Sequence, residues 1–261
     1  MTHSFDRVSD VYDETRGYPP GVDEAIRRWI ESRAGLRPDH SRLLELGVGS
    51  GRIALPFIRA GYDYTGVDIS PKMLGLLRQK LGSDPHRATL LEADVSALPL
   101  PDRSVDAVIA VHILHLVETV RALAEVLRVS RPGGVLIWGW DDSDPQSERA
   151  AIRKHYRSYV KQHGLSTEAW EKNNEGRAWL AAHGVPTPET EVAARWTVRY
   201  TARRVMDSIV RREWSSTFDT PDALHAAAVA DLEAWAGEKL GDLAAERSCE
   251  SEFKVQLSRL P

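Results

Sequence analysis

The residues best suited to chemistry gather in one stretch, Leu43-Leu44-Glu45-Leu46-Gly47-Val48-Gly49-Ser50-Gly51-Arg52. An apolar run ends with an acid in it, and three glycines follow at every second position. This reads as a buried strand breaking into a loop that passes close to a ligand. Glycine suits such a loop because it tolerates positive φ and has no side chain to hold a ligand away. Two ligand types fit a strand, a glycine loop and a helix in succession. A dinucleotide fingerprint spaces its glycines G-x-G-x-x-G and sets pyrophosphate at the helix N-terminus. Here the spacing is G-x-G-x-G, with Glu45 two positions ahead of the first glycine. A P-loop is excluded, because no Gly-Lys-Ser/Thr follows. Taken alone, the triplet also fits a turn that binds nothing.

Three further segments carry acids and turns in an ordered series. Gly66-Val67-Asp68 ends a second strand on a carboxylate, where an acid of a doubly wound fold accepts hydrogen bonds from both ribose hydroxyls. Asp68 by itself is equally a turn residue. Glu92-Ala93-Asp94-Val95-Ser96-Ala97-Leu98-Pro99 follows, and then Leu123-Ala124-Glu125-Val126-Leu127-Arg128-Val129-Ser130-Arg131-Pro132-Gly133-Gly134. In order and spacing, these four pieces resemble the class I S-adenosylmethionine-dependent methyltransferases, over roughly Leu43 to Trp140. The wider pattern is similar to the quinone-ring and natural-product methyltransferases that act on small molecules.

The resemblance implies a set of roles. Glu45, Gly47, Val48, Gly49, Gly51 and Arg52 would grip the aminoacyl end of S-adenosyl-L-methionine, whose spent form is S-adenosyl-L-homocysteine. Asp68 would take the ribose, with Ile69 and Met73 near the adenine. Asp94 would accept the adenine amino group, and the Val95 amide would serve a ring nitrogen. In Val111-His112-Ile113-Leu114-His115-Leu116-Val117, His112 would lie with its backbone beside the methionine portion. His115 falls on a histidine frequent in the family and is the candidate base; a histidine shaping the pocket wall is the other reading. Tyr12 and Tyr18 would place aromatic faces near a sulfonium, and Arg16 would meet the methionine carboxylate. Trp138 and Trp140 end the fifth strand, one expected to face an acceptor pocket and the other the core or cap. The Asp/Asn-Pro-Pro-Tyr/Phe tetrad of nucleic-acid amino-methyltransferases is absent from the corresponding segment.

These residues need elements to hold them. Short β-rich runs at Leu43–Leu46, Tyr64–Val67, Ala88–Leu91, Ala107–Val111 and Val135–Trp140 alternate with amphipathic segments. Ser70-Pro71 supplies an N-cap and a first-turn proline for a helix to about Leu81. Val120, Leu123 and Leu127 mark the face of a helix that Arg131-Pro132-Gly133-Gly134 would end. Such alternation predicts a doubly wound, Rossmann-like α/β fold. The expected sheet has seven strands, mostly parallel, with an antiparallel strand at the C-terminal edge and a helical cap. Asp141 to Pro145 reads as a polar loop. The expected divisions are a helical cover over 1–40, a cofactor-binding core over 41–145, a helical cap over 146–188, and 189–261 completing the sheet. Glu191–Tyr200 and the run through Phe253, Val255 and Leu257 alternate as strands and are expected to pair antiparallel.

Composition narrows the function. With a formal net charge of −4, the chain has no global basic field for nucleic acid or anionic lipid. Cys249 is the single cysteine, so no intrachain disulfide forms, and no metal site is expected. No run is long enough to cross a bilayer, and Met1 to Arg7 lacks the apolar stretch of a signal peptide, so a cytoplasmic monomer or homodimer is expected. The leading expectation is a methyltransferase acting on a small-molecule oxygen, nitrogen or carbon. A non-catalytic S-adenosylmethionine-binding sensor or scaffold and a nicotinamide-dependent oxidoreductase are the alternatives.

Overall fold

The computed structural model describes residues 16–83, 86–165 and 169–261. After a helix α1 (Val22–Ala34) the chain alternates β1 (Arg42–Leu46), α2 (Ala54–Arg59), β2 (Asp63–Asp68), α3 (Pro71–Leu81), β3 (Ala88–Glu92) and β4 (Val105–Val111). Then follow α4 (Thr119–Val129), β5 (Ser130–Ser143), α5 (Glu148–Gln162), α6 (Ala169–Ala182), β6 (Glu191–Thr201), α7 (Ala202–Val210), α8 (Asp222–Lys239) and β7 (Glu246–Arg259). Among the described residues seven strands form one sheet, in the order β3-β2-β1-β4-β5-β7-β6.

The first five strands pair in parallel. Both faces of this part are covered. Leu44, Leu46, Val108 and Leu136 meet Leu123 and Val126 of α4 on one face. On the other, Phe57 of α2 lies 6.1 Å from the ring of Tyr64. A strand buried on both faces reads as a continuous apolar run, which is why Leu43–Leu46 was legible. Strand order reverses between β1 and β4, and in open α/β sheets the ligand crevice lies at the carboxyl ends of the strands at such a point.

At the other side of the sheet, β7 runs antiparallel to β5. Gly133 N–H donates to Leu260 O at 3.0 Å, and Leu260 N–H donates to Gly134 O at 2.8 Å, the reciprocal exchange of an antiparallel pair. Its partner β6 is also antiparallel to it: Arg195 binds Glu252 at 2.8 Å while Thr197 binds Glu250 at 2.7 Å. β7 therefore stands one place in, and β6 takes the outermost position.

Two local expectations change. The Pro132-Gly133-Gly134 run ends α4, and it also belongs to β5. The register jumps from Val105↔Ser130 to Ala107↔Val135, so these residues form an irregularity within the pairing. Proline cannot donate to a ladder and Gly133 has φ +76°, both features that a bulge accommodates. β5 also continues to Ser143, through what read as the start of a polar loop.

The chain divides into two compact units. The first comprises the described residues up to Asp141, with Ala169–Ala194 and Phe253–Pro261; the second comprises 142–165 and Arg195–Glu252. α5 joins the second unit, where Ile152, Tyr156 and Val160 pack with Met206, Ile209, Leu232 and Ala236. α6 joins the first unit by packing on α4. Gly176 permits this approach, since a Cβ there would stand 2.8 Å from Thr119 Cγ2.

Candidate active site at the carboxyl ends of the strands

β1 ends at Leu46 and the backbone turns through Gly47, Gly49 and Gly51 with φ of +64°, +54° and +87°. Two of these glycines are required by space as well. A Cβ on Gly47 would stand 2.7 Å from Ile113 Cδ1, and one on Gly51 would stand 2.3 Å from Leu77 Cδ1. Gly49 is free of such a clash, with Met73 Cε at 3.4 Å, so its positive φ is the requirement there.

Neighbouring elements tie the loop down. Val48 N–H donates to Val67 O at 3.0 Å, and Lys80 Nζ donates to Ser50 O at 2.9 Å. The Asp68 carboxylate does most: Oδ2 accepts from Gly49 N–H at 2.8 Å and Oδ1 accepts from Ser70 N–H at 2.9 Å. One acid at the end of β2 thus spans the loop and the start of α3. Carboxylate oxygens can take more than one donor each. The Ser70 hydroxyl caps α3 by accepting from Met73 N–H at 3.0 Å.

The loop walls a pocket open to solvent, lined by Glu45, Gly47, Gly49, Ser50, Arg52 and Val111 among others. Glu45 is 3% exposed and accepts a hydrogen bond from the Tyr64 hydroxyl at 2.6 Å. Burial pushes its carboxyl up to about 8, against the Tyr64 bond and the Arg52 charge, which favour ionisation. An acid held this way is primed for a cation that would let it ionise in place.

A second cluster stands where β5 leaves the sheet. Asp141 Oδ2 accepts from Arg52 Nη1 at 2.6 Å, and Oδ1 accepts from the Tyr18 hydroxyl at 2.8 Å. Arg52 also donates to the Arg16 carbonyl at 3.0 Å, and its guanidinium carbon lies 4.6 Å from the Tyr18 ring centre. His112 Nε2 accepts from Asp141 N–H at 2.8 Å. Burial opposes ionisation of Asp141. The Arg52 charge prevails, with His112 and Tyr18 at bonding distance, and holds its carboxyl well below the ordinary range. His112 has φ +53°, a strained conformation for a non-glycine residue. It is held by its ring bond and by its N–H to Gly139 O at 3.2 Å.

Of the expected site residues, Glu45, Gly47, Val48, Gly49, Gly51 and Arg52 come together, with Asp68 and Met73 against the loop. Ile69 is half-buried beside Asp68, and Val95 is buried. Asp94 is exposed and closes its own turn, accepting from Ser96 N–H at 2.8 Å. His115 is half-buried in a short 3-10 helix, Leu114–Leu116. Arg16 and Tyr18 join through Arg52, while Tyr12 lies outside the described residues. Trp138 and Trp140 do not face opposite ways. Positions i and i+2 of a strand share a face, and both indoles lie near one guanidinium, that of Arg177, at 4.9 and 5.9 Å.

Three residues escaped the sequence reading: Asp141, hidden in an apparent polar loop; Tyr64, whose meeting with Glu45 depends on strand register; and Arg177, one charge among many on a helix.

Residues 44–138 match the family described as "Methyltransferase domain". The chain is 38% identical over 145 residues to an uncharacterized methyltransferase of Mycobacterium bovis, covering 55% of this chain and 54% of that one. It is 29% identical over 202 residues to a demethylmenaquinone methyltransferase of Clavibacter sepedonicus, covering 74% and 78% respectively. The chain thus spans about half the length of the mycobacterial relatives it matches. Among solved structures, one assigned as a type II methyltransferase from Anaeromyxobacter dehalogenans shares the fold, with TM-score 0.64 and 21% identity over 94% of this chain and 98% of that one. Among the described residues no helix is long and apolar enough to cross a membrane, and no group of His, Cys, Asp or Glu is arranged to hold a metal ion.

Proposed function

We propose, from the match of residues 44–138 to a methyltransferase domain, that the chain is a class I S-adenosylmethionine-dependent methyltransferase, which binds S-adenosyl-L-methionine and methylates a small-molecule acceptor. The observation that carries this reading is the pairing of two acids across one glycine loop. Buried Glu45 lines the pocket on one side, and Asp68 grips the Gly49 amide on the other. A ligand with an ammonium at one end and a ribose diol at the other fits both. The three glycines leave backbone, rather than side chains, facing the space between.

When bound, the cofactor supplies an electrophilic methyl group on a sulfonium, open to in-line displacement. The protein's own part is alignment and exclusion of water. Glu45 would ionise against the ammonium. Arg52, aimed by Asp141, would lie by the carboxylate, and the Tyr18 ring would offer a π face to positive charge. Asp68 would hold the diol, and Asp94 and the Val95 amide the adenine. The acceptor would enter beside Tyr18, His115, Trp138 and Trp140. An oxygen or carbon acceptor also needs a proton removed, and half-buried His115 is the candidate base.

The Clavibacter relative's name, a demethylmenaquinone methyltransferase, supports a small-molecule acceptor. The test is calorimetric titration with S-adenosylmethionine, S-adenosylhomocysteine and NADH, followed by transfer of labelled methyl to a metabolite extract. Expected are binding of the two adenosyl ligands, one metabolite heavier by a methyl group, and loss of both in Asp68→Ala. Tight binding with repeated absence of any labelled product would mean a sensor or scaffold. Binding of NADH alone would overturn the reading.

A further inference from the structure

In the first unit, the side chains of Arg27, Arg52, Arg128 and Arg131 each face a carboxylate: Glu24 and Glu31, Asp141, Glu125 and Asp102, and Asp106 respectively. Arg177 of α6 does not. It is half-buried, and its polar partner among the described residues is the neutral Gln256, whose Oε1 accepts from Nε at 3.2 Å. Gln256 is itself oriented, since its amide nitrogen donates to Thr190 Oγ1 at 3.1 Å. The remaining contacts of the guanidinium are with the indoles of Trp138 and Trp140. Burial disfavours its charged form, with no acid among the described residues paired to offset that cost. Both terminal nitrogens remain without a hydrogen bond to any described residue, a fork suited to an oxyanion.

The place matters as much as the charge. Trp138 and Trp140 lead directly into Asp141, the residue that fixes Arg52 and His112. α6 also packs on the turn Leu114–Leu116, which carries His115. Gly176, next to Arg177, brings the helix within touching distance of Trp138: a Cβ there would stand 3.2 Å from its Cη2.

Resting on the methyltransferase reading above, we propose that Arg177 anchors an anionic group of the acceptor, so that the substrate carries a carboxylate or a phosphate. The guanidinium fork takes the oxyanion in the charge-assisted geometry that it lacks within the chain, and the flanking indoles hold the fork in place.

The test uses three probes of similar size: benzoate, phenyl phosphate and neutral benzamide. Each is titrated into the protein alone and into the protein saturated with S-adenosylhomocysteine. At least one anion is expected to bind roughly tenfold or more tightly than benzamide, the size of a charge-assisted hydrogen bond. Whether benzoate or phenyl phosphate leads tells carboxylate from phosphate. Arg177→Met should abolish the preference, and Arg177→Lys, a charge without a fork, should keep part of it. Gln256→Glu, nearly isosteric, sets an internal carboxylate beside the guanidinium and should abolish the preference with the fold intact. Equal binding of anions and benzamide, or a preference that survives in both Arg177→Met and Gln256→Glu, overturns the proposal. The methyltransferase reading fails separately: an anion preference lost in these variants, in a protein that binds no adenosyl ligand, keeps the anchor and removes the methyl donor.

Discussion

Glu45 carries the sharpest consequence at the scale of a residue. Its carboxyl titrates at about 8 in the folded chain, against an ordinary 4.5, chiefly because it is buried. Between those values the native state holds a proton that the unfolded chain has released, so stability falls as pH rises through the window. The full effect is on the order of 5 kcal/mol at most. Urea unfolding from pH 5 to 8.5 should show this decline, and Glu45→Gln should flatten it; an equal slope in the variant would reject the assignment. Binding of an ammonium beside Glu45 should also release a proton near neutral pH. That release is read as a dependence of binding enthalpy on the buffer's ionisation enthalpy. The spacing of Glu45 from the glycines was legible, but its charge state was not, since that depends chiefly on how deeply the folded sheet buries it.

At the scale of elements, the glycine loop and α3 respond in opposite ways to the same substitution. Gly51→Ala places a methyl group 2.3 Å from Leu77 Cδ1 at φ +87°, and should lower stability by roughly 2 kcal/mol or more. Gly75→Ala, in the middle of α3 with nothing within 4 Å, should raise it by about 0.5–1 kcal/mol. Thermal unfolding of the pair is the check, and a destabilised Gly75→Ala would contradict the local geometry. The parallel strands and α3 were readable because apolar runs, Ser70-Pro71 and glycine stops are local signals. The continuation of β5 through Asp141 was not, because polar side chains there are satisfied by Arg52 and Tyr18, remote in sequence. The close approach of α6 to α4 was also hidden, since it depends on a small residue, Gly176, meeting another helix.

For the whole molecule, two separate cores imply two separable stabilities. Leu232 is fully buried in the core of the second unit. Leu232→Ala should cost about 2–5 kcal/mol there. Hydrogen exchange should then speed up in α5, α7 and α8 and stay slow in β1, β2 and β4, with cofactor affinity changed less than about twofold. Uniform loss of protection would mean a single cooperative unit. The strand order has a consequence of another kind, for the chain on the ribosome. β5 is made more than a hundred residues before β7, the strand that lies beside it. At typical elongation rates the interval is on the order of ten seconds. Through it, the apolar run Val135–Trp138 borders an unpaired edge, the kind of template that recruits other chains. A nascent chain stalled before residue 246 is thus the form expected to need a chaperone.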